Sequence, residues 1–138
     1  MAPVAPTTTI TGSYVEISWT APANGGSAIT GYNVLIRQSD ASTFTTYSSC
    51  TGTTTICQVL ISDLQASPYF LPNGASVYAV VRALNFIGNS AYSPPGNGAV
   101  LTVPDTLTAP ATAIILGTNN VEIKWLMPAP SSIPITGY

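Results

Sequence analysis

The chain has 138 residues, of which only three are basic and five acidic, with no histidine and a net charge of −2. No basic patch is available to meet phosphates, which excludes nucleic-acid binding, and without histidine neither a Ser-His nor a Cys-His catalytic pair can be built. The carboxylates Glu16, Asp40, Asp63, Asp105 and Glu122 are too scattered for a calcium loop or an acid/base pair, so we expect no enzyme, no metal and no cofactor.

Twelve prolines and eleven glycines interrupt the chain at short intervals, and no window of helical length carries apolar residues at i, i+3, i+4 and i+7, so the class is all-β. Pro3 and Pro6 lead into a short edge strand around Thr8 to Ile10, where proline is tolerated. After Gly12-Ser13 a second strand, Tyr14 to Thr20, alternates with Val15, Ile17 and Trp19 inward. Pro22 to Ser27 is a loop. The third strand, Ile29 to Arg37, turns Tyr32, Val34 and Ile36 inward, and a weaker strand follows at Phe44 to Ser48. The next runs from Cys57 to Ile61, with Val59 and Ile61 inward. Gln65 to Phe70 reads as an insertion before the turn Leu71 to Gly74. The longest strand is Val77 to Leu84: Val77, Ala79, Val81 and Ala83 face the core, while Tyr78, Val80, Arg82 and Leu84 make an outer face apolar for contact with water. After Gly88-Asn89 and the break Pro94-Pro95-Gly96, a last strand is expected at Ala99 to Val103. Seven short strands with turns between them predict a Greek-key β-sandwich.

The chain then begins again. Asn120 to Tyr138 repeats Tyr14 to Tyr32 without a gap, with Trp125 on Trp19 (125 − 19 = 106) and identity at ten of nineteen positions. The expected organisation is one sandwich over residues 1–104, then a linker and the opening of a second copy over 105–138. In that copy Val121, Ile123, Trp125 and Tyr138 are expected on a surface that meets the rest of its own repeat or a neighbouring subunit. The missing strands follow later in the same chain or come from another copy by strand addition.

Several of these stretches together resemble a fibronectin type III module: the paired prolines, ISWTAP with Trp19, ITGYNVLIR with Tyr32, and LPNGASVYAVVRALNFIGNSAYS with Ala83, Asn85, Gly88 and Ser90. The resemblance covers residues 3 to 103 and implies an immunoglobulin-like sandwich with Trp19, Tyr32, Val34, Ile36, Val81 and Ala83 in its core. Three features depart from the family. Val77 stands where the family usually has its corner tyrosine, so the hydroxyl pin that tyrosine makes is expected to be missing. The insertion and the cysteine pair are not general features either. With the segment Gly96 to Ala99, they are similar to a subtype repeated in large surface proteins of single-celled eukaryotes.

Cys50 and Cys57 enclose the Thr-rich turn TGTTTI. A disulfide closing that turn is expected, with two free thiols as the alternative, and it implies an oxidising setting at the cell surface or outside the cell. Phe86 and Ile87 sit in the loop where some fibronectin modules carry an integrin-binding tripeptide. Here the loop reads NFIGNS, and the pair serves either as a small apolar contact or as packing on its own domain.

Solubility rests on Ser and Thr, which outnumber charged residues roughly fourfold. Weak charge repulsion leaves little to hold copies apart. No N-x-S/T sequon occurs, so any sugar would be O-linked, on runs such as Thr7 to Thr9 or Thr53 to Thr55. There is no apolar run long enough for a membrane helix, and Met1-Ala2-Pro3 is no signal peptide. The sequence thus favours a structural repeat of an extracellular or cell-surface fibre, bound to copies of itself or to adjacent repeats. The alternative is an adhesion or ligand-binding module that recognises a protein or glycan through its loops.

Overall fold

The computed structural model describes residues 1–103, 111–114 and 121–124. Alternation of apolar and polar residues makes the first ladder: β1 (Thr7–Thr11) turns at Gly12-Ser13 into β2 (Tyr14–Ser18), with Thr8 opposite Ile17 and Ile10 opposite Val15. β3 (Ile29–Arg37) carries Val34 and Ile36 on its buried side, and β4 (Phe44–Thr46) pairs with its C-terminal end. β5 (Ile56–Leu60) returns to β2, placing Val59 against Val15 and Cys57 against Ile17. A single helical turn, α1 (Ile61–Gln65), follows, and β6 (Ala79–Asn85) pairs with β3.

The result is two antiparallel sheets, ordered β1-β2-β5 and β4-β3-β6. Val15, Ile17, Trp19 and Val59 from one sheet share a buried cluster with Tyr32, Val34, Ile36, Ala79, Val81 and Ala83 from the other. Each valine or isoleucine side chain among them, once buried, contributes about 1.5–3 kcal/mol. Trp19 meets Tyr32 edge to face, ring centroids 5.3 Å apart, an arrangement that aromatic quadrupoles favour.

Several expected boundaries shift. Strand two ends at Ser18, although Trp19 N still donates to Thr55 O at 3.0 Å. The weak strand stops at Thr46. The strand expected at Cys57 to Ile61 runs from Ile56 to Leu60, and α1 occupies the stretch from Ile61 up to the first residue of the expected insertion, burying Ile61 and Leu64 on one side of its single turn.

The expected strand Ala99 to Val103 is not regular either. Residues 89–101 run antiparallel beside 75–84 through separate bridges, Leu84 to Asn89, Ala79 to Gly96 and Ser76 to Val100. Residues 1–103 therefore hold six regular strands, and this irregular run takes the seventh place.

Its irregularity has a cause in the N-terminal segment, which presses against it. A Cβ on Gly96 would overlap the Pro6 carbonyl, and one on Gly98, whose φ is 149°, would lie 2.5 Å from Thr8 O. Only glycine fits both places. Thr8 is fully buried there: its Oγ1 donates to Val77 O at 3.1 Å and accepts from Ala99 N at 2.9 Å. Val77, in the place of the corner tyrosine, is thus pinned through its carbonyl. A second hydroxyl, Tyr69 Oη, donates to Thr46 O at 3.1 Å.

Cys50 and Cys57 form a disulfide with Cα atoms 5.5 Å apart. It ties the stretch after β4, in one sheet, to β5 in the other, and both residues are buried.

Farther along, β7 (Ala111–Ile114) pairs antiparallel with β8 (Val121–Lys124), from Ile114 opposite Val121 to Ala111 opposite Lys124. Val121, Glu122 and Ile123 stand at the repeat positions of Val15, Glu16 and Ile17. Ile17 is fully buried, but Ile123 is 55% exposed. Among the described residues no second sheet covers this hairpin, so the surface expected to meet the rest of its repeat or a neighbouring subunit is left open at Ile123. Trp125, Tyr138 and the expected division at 104/105 lie outside the described residues.

Candidate functional site

The polarity of β6 defines the two ends of the sandwich. Its last residue, Asn85, leads into the loop of Phe86 and Ile87, and the same end holds the β2–β3 loop and Met1, which together line a cavity of about 270 Å³. Leu101 lies at the other end, where its N–H donates to Ala75 O at 2.9 Å and its carbonyl accepts from Gly74 N. The chain therefore enters at one pole and leaves the sandwich at the other.

At the entry pole Asn85 holds two loops together. Its Oδ1 accepts from Ile87 N and Gly88 N, both at 3.0 Å, shaping the tip. Its Nδ2 donates to Asn24 O at 3.0 Å and Ser27 O at 3.2 Å in the β2–β3 loop. Asn24 Oδ1 in turn accepts from Gly26 N, and Ser90 Oγ accepts from Ala83 N at 2.9 Å below the tip. On this braced loop Phe86 is 92% exposed and Ile87 77%. Neither packs on its own domain. The two side chains thus present an apolar surface to water on a loop that hydrogen bonds hold in shape.

Two other features show only in the structure: the exposure of Phe70 and the side chains that cap the outer face of β3 and β6. Phe70, assigned to an insertion, is 60% exposed and has φ of 50°, a left-handed backbone unusual for an aromatic residue. It sits at the exit pole beside the β3–β4 turn, since Ser39 N donates to Tyr69 O at 2.9 Å. The second is the outer face of β3 and β6. Arg37 stacks over Tyr78 at 3.7 Å and Arg82 over Tyr92 at 4.8 Å, while Val80 between them is buried. The apolar outer face noticed in the sequence is therefore capped by the molecule's own arginine and tyrosine side chains. Asn33, with its amide oxygen turned to the guanidinium, accepts from Arg82 Nη2 at 2.9 Å.

A hydroxyl-lined groove of about 320 Å³ lies over α1, where Tyr47 Oη donates to Asp63 Oδ2 at 2.7 Å. Burial raises the pKa values of Tyr47 and Tyr69, and the carboxylate of Asp63 adds to both shifts. Asp40 goes the other way: hydrogen bonds from Thr43 and Ser42 hold its carboxyl down at about 2. Among the described residues no three His, Cys, Asp or Glu side chains come together, and no helix is long and apolar enough to cross a membrane.

Comparison with solved structures finds the same sandwich in muscle and other proteins. Domains A168–A170 of titin align at TM-score 0.57 and 24% identity, covering 74% of this chain, which spans 32% of that structure. The sixth fibronectin type III domain of human fibronectin type III domain containing protein 3 aligns at TM-score 0.58 and 15% identity, over 77% of this chain and 90% of that one. Titin module A71 from human cardiac muscle aligns at TM-score 0.53 and 24% identity, over 70% and 86%. No curated protein matches the chain. At these identities the structures speak for the fold alone, but the sequence itself matches the fibronectin type III domain family over residues 3–98. With its paired sheets, its Trp19–Tyr32 core and that match, the chain belongs to the fibronectin type III domain family.

Proposed function

We propose that this is a structural module of an extracellular or cell-surface fibre, joined to copies of its own kind, and not an enzyme. The observation that carries this reading is the braced apolar tip, Phe86 and Ile87, at the pole opposite the chain's exit. A copy that follows in line presents that tip to the module before it. The Cys50–Cys57 disulfide supports an oxidising setting, and the scarcity of charge leaves association unopposed. The exposed Ile123 supports completion of the β7–β8 hairpin by further strands, either later in the chain or from a neighbour. Small-angle scattering from the chain across a concentration series that reaches the millimolar range tests the reading: elongated end-to-end assemblies that grow with concentration are expected, and particles of one module's size at every concentration would count against it.

The same tip also supports a second reading, an adhesion module that binds a different protein or a glycan through its entry-pole loops. Its mark would be a monodisperse chain that binds cell surfaces and loses that binding when Phe86 and Ile87 are replaced.

A further inference from the structure

Large exposed apolar side chains gather at the two poles. The entry pole has Phe86 and Ile87, and the exit pole has Phe70, with Val103 and the cross-strand pair Tyr14 and Leu60 at the same end. Both anchors are held in place before any partner arrives. The tip is fixed by Asn85, and Phe70 by N–H donation to Ala66 O at 2.9 Å in a backbone conformation that disfavours side chains. Phe70 is thus an exposed aromatic side chain on a strained backbone, outside the buried core cluster.

We propose that the exit pole of one module docks on the entry pole of the next, with Phe70 seated in the cavity between the β2–β3 loop and the tip, against Ile87. The partner is a second copy of this module, so this rests on the structural-module reading above and names the surfaces it uses. Three observations select that occupant. The chain enters and leaves at opposite poles, so a copy in line meets Phe70 with its tip. Only eight positions separate Val103 from the start of β7 (111 − 103 = 8), a span of about 29 Å at full extension, which keeps successive poles close. The two surfaces also differ, so their contact is head-to-tail and propagates; a tip-to-tip pairing would reverse every second module, which a continuous chain on so short a linker does not allow.

A short linker raises effective concentration to the millimolar range, so the free contact is expected to be weak, with a dissociation constant of ~1 mM. Amide spectra of the 138-residue chain, diluted from that concentration, are the test. Signals of Phe86 to Gly88 and of Phe70 to Leu71 should move together on dilution. Phe70→Asn alone, or Phe86→Asp with Ile87→Asp, should abolish the movement, thermal melting showing that both variants are folded. Mixing the two variants in equal amounts should restore the shifts at the tip of the first and at Phe70 of the second, because each keeps one intact pole, and sedimentation should then show dimers and nothing larger. Association that persists in Phe70→Asn, or a mixture that restores nothing, would overturn the docking while leaving a self-associating module intact. A wild-type chain with no dilution shift overturns both.

Discussion

Trp19 has the largest single claim on stability. The residue is 9% exposed, and its ring stands edge to face with that of Tyr32 in the shared cluster. Trp19→Ala should cost about 3–5 kcal/mol, most of the margin of a small domain, and a thermal midpoint lowered by only a few degrees would contradict the packing described. Phe70 predicts the opposite sign. At φ 50° an aromatic side chain is strained, and asparagine tolerates that region better. Phe70→Asn should raise urea stability by up to about 1 kcal/mol with an unchanged slope, since no core contact is lost. A stability optimum discarded at an exposed residue is the pattern expected of a contact surface.

Among the elements, the irregular run 89–101 depends on β1 as much as on β6. Thr8→Val keeps the shape of the side chain but removes the acceptor of Ala99 N and the donor to Val77 O. It should cost about 1–3 kcal/mol, read as a fall in thermal midpoint of about 4–8 °C per kcal/mol. This is also where the sequence became hard to read. Val15, Ile17 and Trp19, or Tyr32, Val34 and Ile36, announce their strands because a period of two is local. Ala99 to Val103 looks like one more such strand, yet its course is set by Pro6 and Thr8, some ninety positions earlier. α1 is one turn long, too short for a helical period to register. The Asn85 clamp could not be foreseen for a similar reason: its carbonyl partners Asn24 and Ser27 become neighbours only after the sheets have closed. Cys50 and Cys57 were legible as a pair because they flank a single turn. Phe86 and Ile87 were legible as residues but not as exposed ones, since packing on their own domain was the other option and only the closed loop decides it.

For the whole molecule, the charge inventory fixes how stability responds to pH. Tyr32, Tyr47 and Tyr69 have folded pKa values raised above 10.0, with burial the largest cause for each. Their contribution is complete below the unfolded value and is lost as pH rises from there through the raised folded values. Asp40 has a lowered value, so its contribution is present above the ordinary carboxylate range and fades as pH falls toward about 2. With no histidine in between, the thermal midpoint should be level from about pH 5 to 9 and decline above about 10; a step near pH 6.5 would contradict this assignment. The close approach of Thr8 to residues 97–99 has a mechanical meaning as well. β1 and the final segment run side by side in the same direction, one joined to the entry of the module and the other to its exit. Tension drawn along the chain therefore slides these two segments past each other instead of peeling them apart, and the bonds at Thr8 must break together before the sandwich can open.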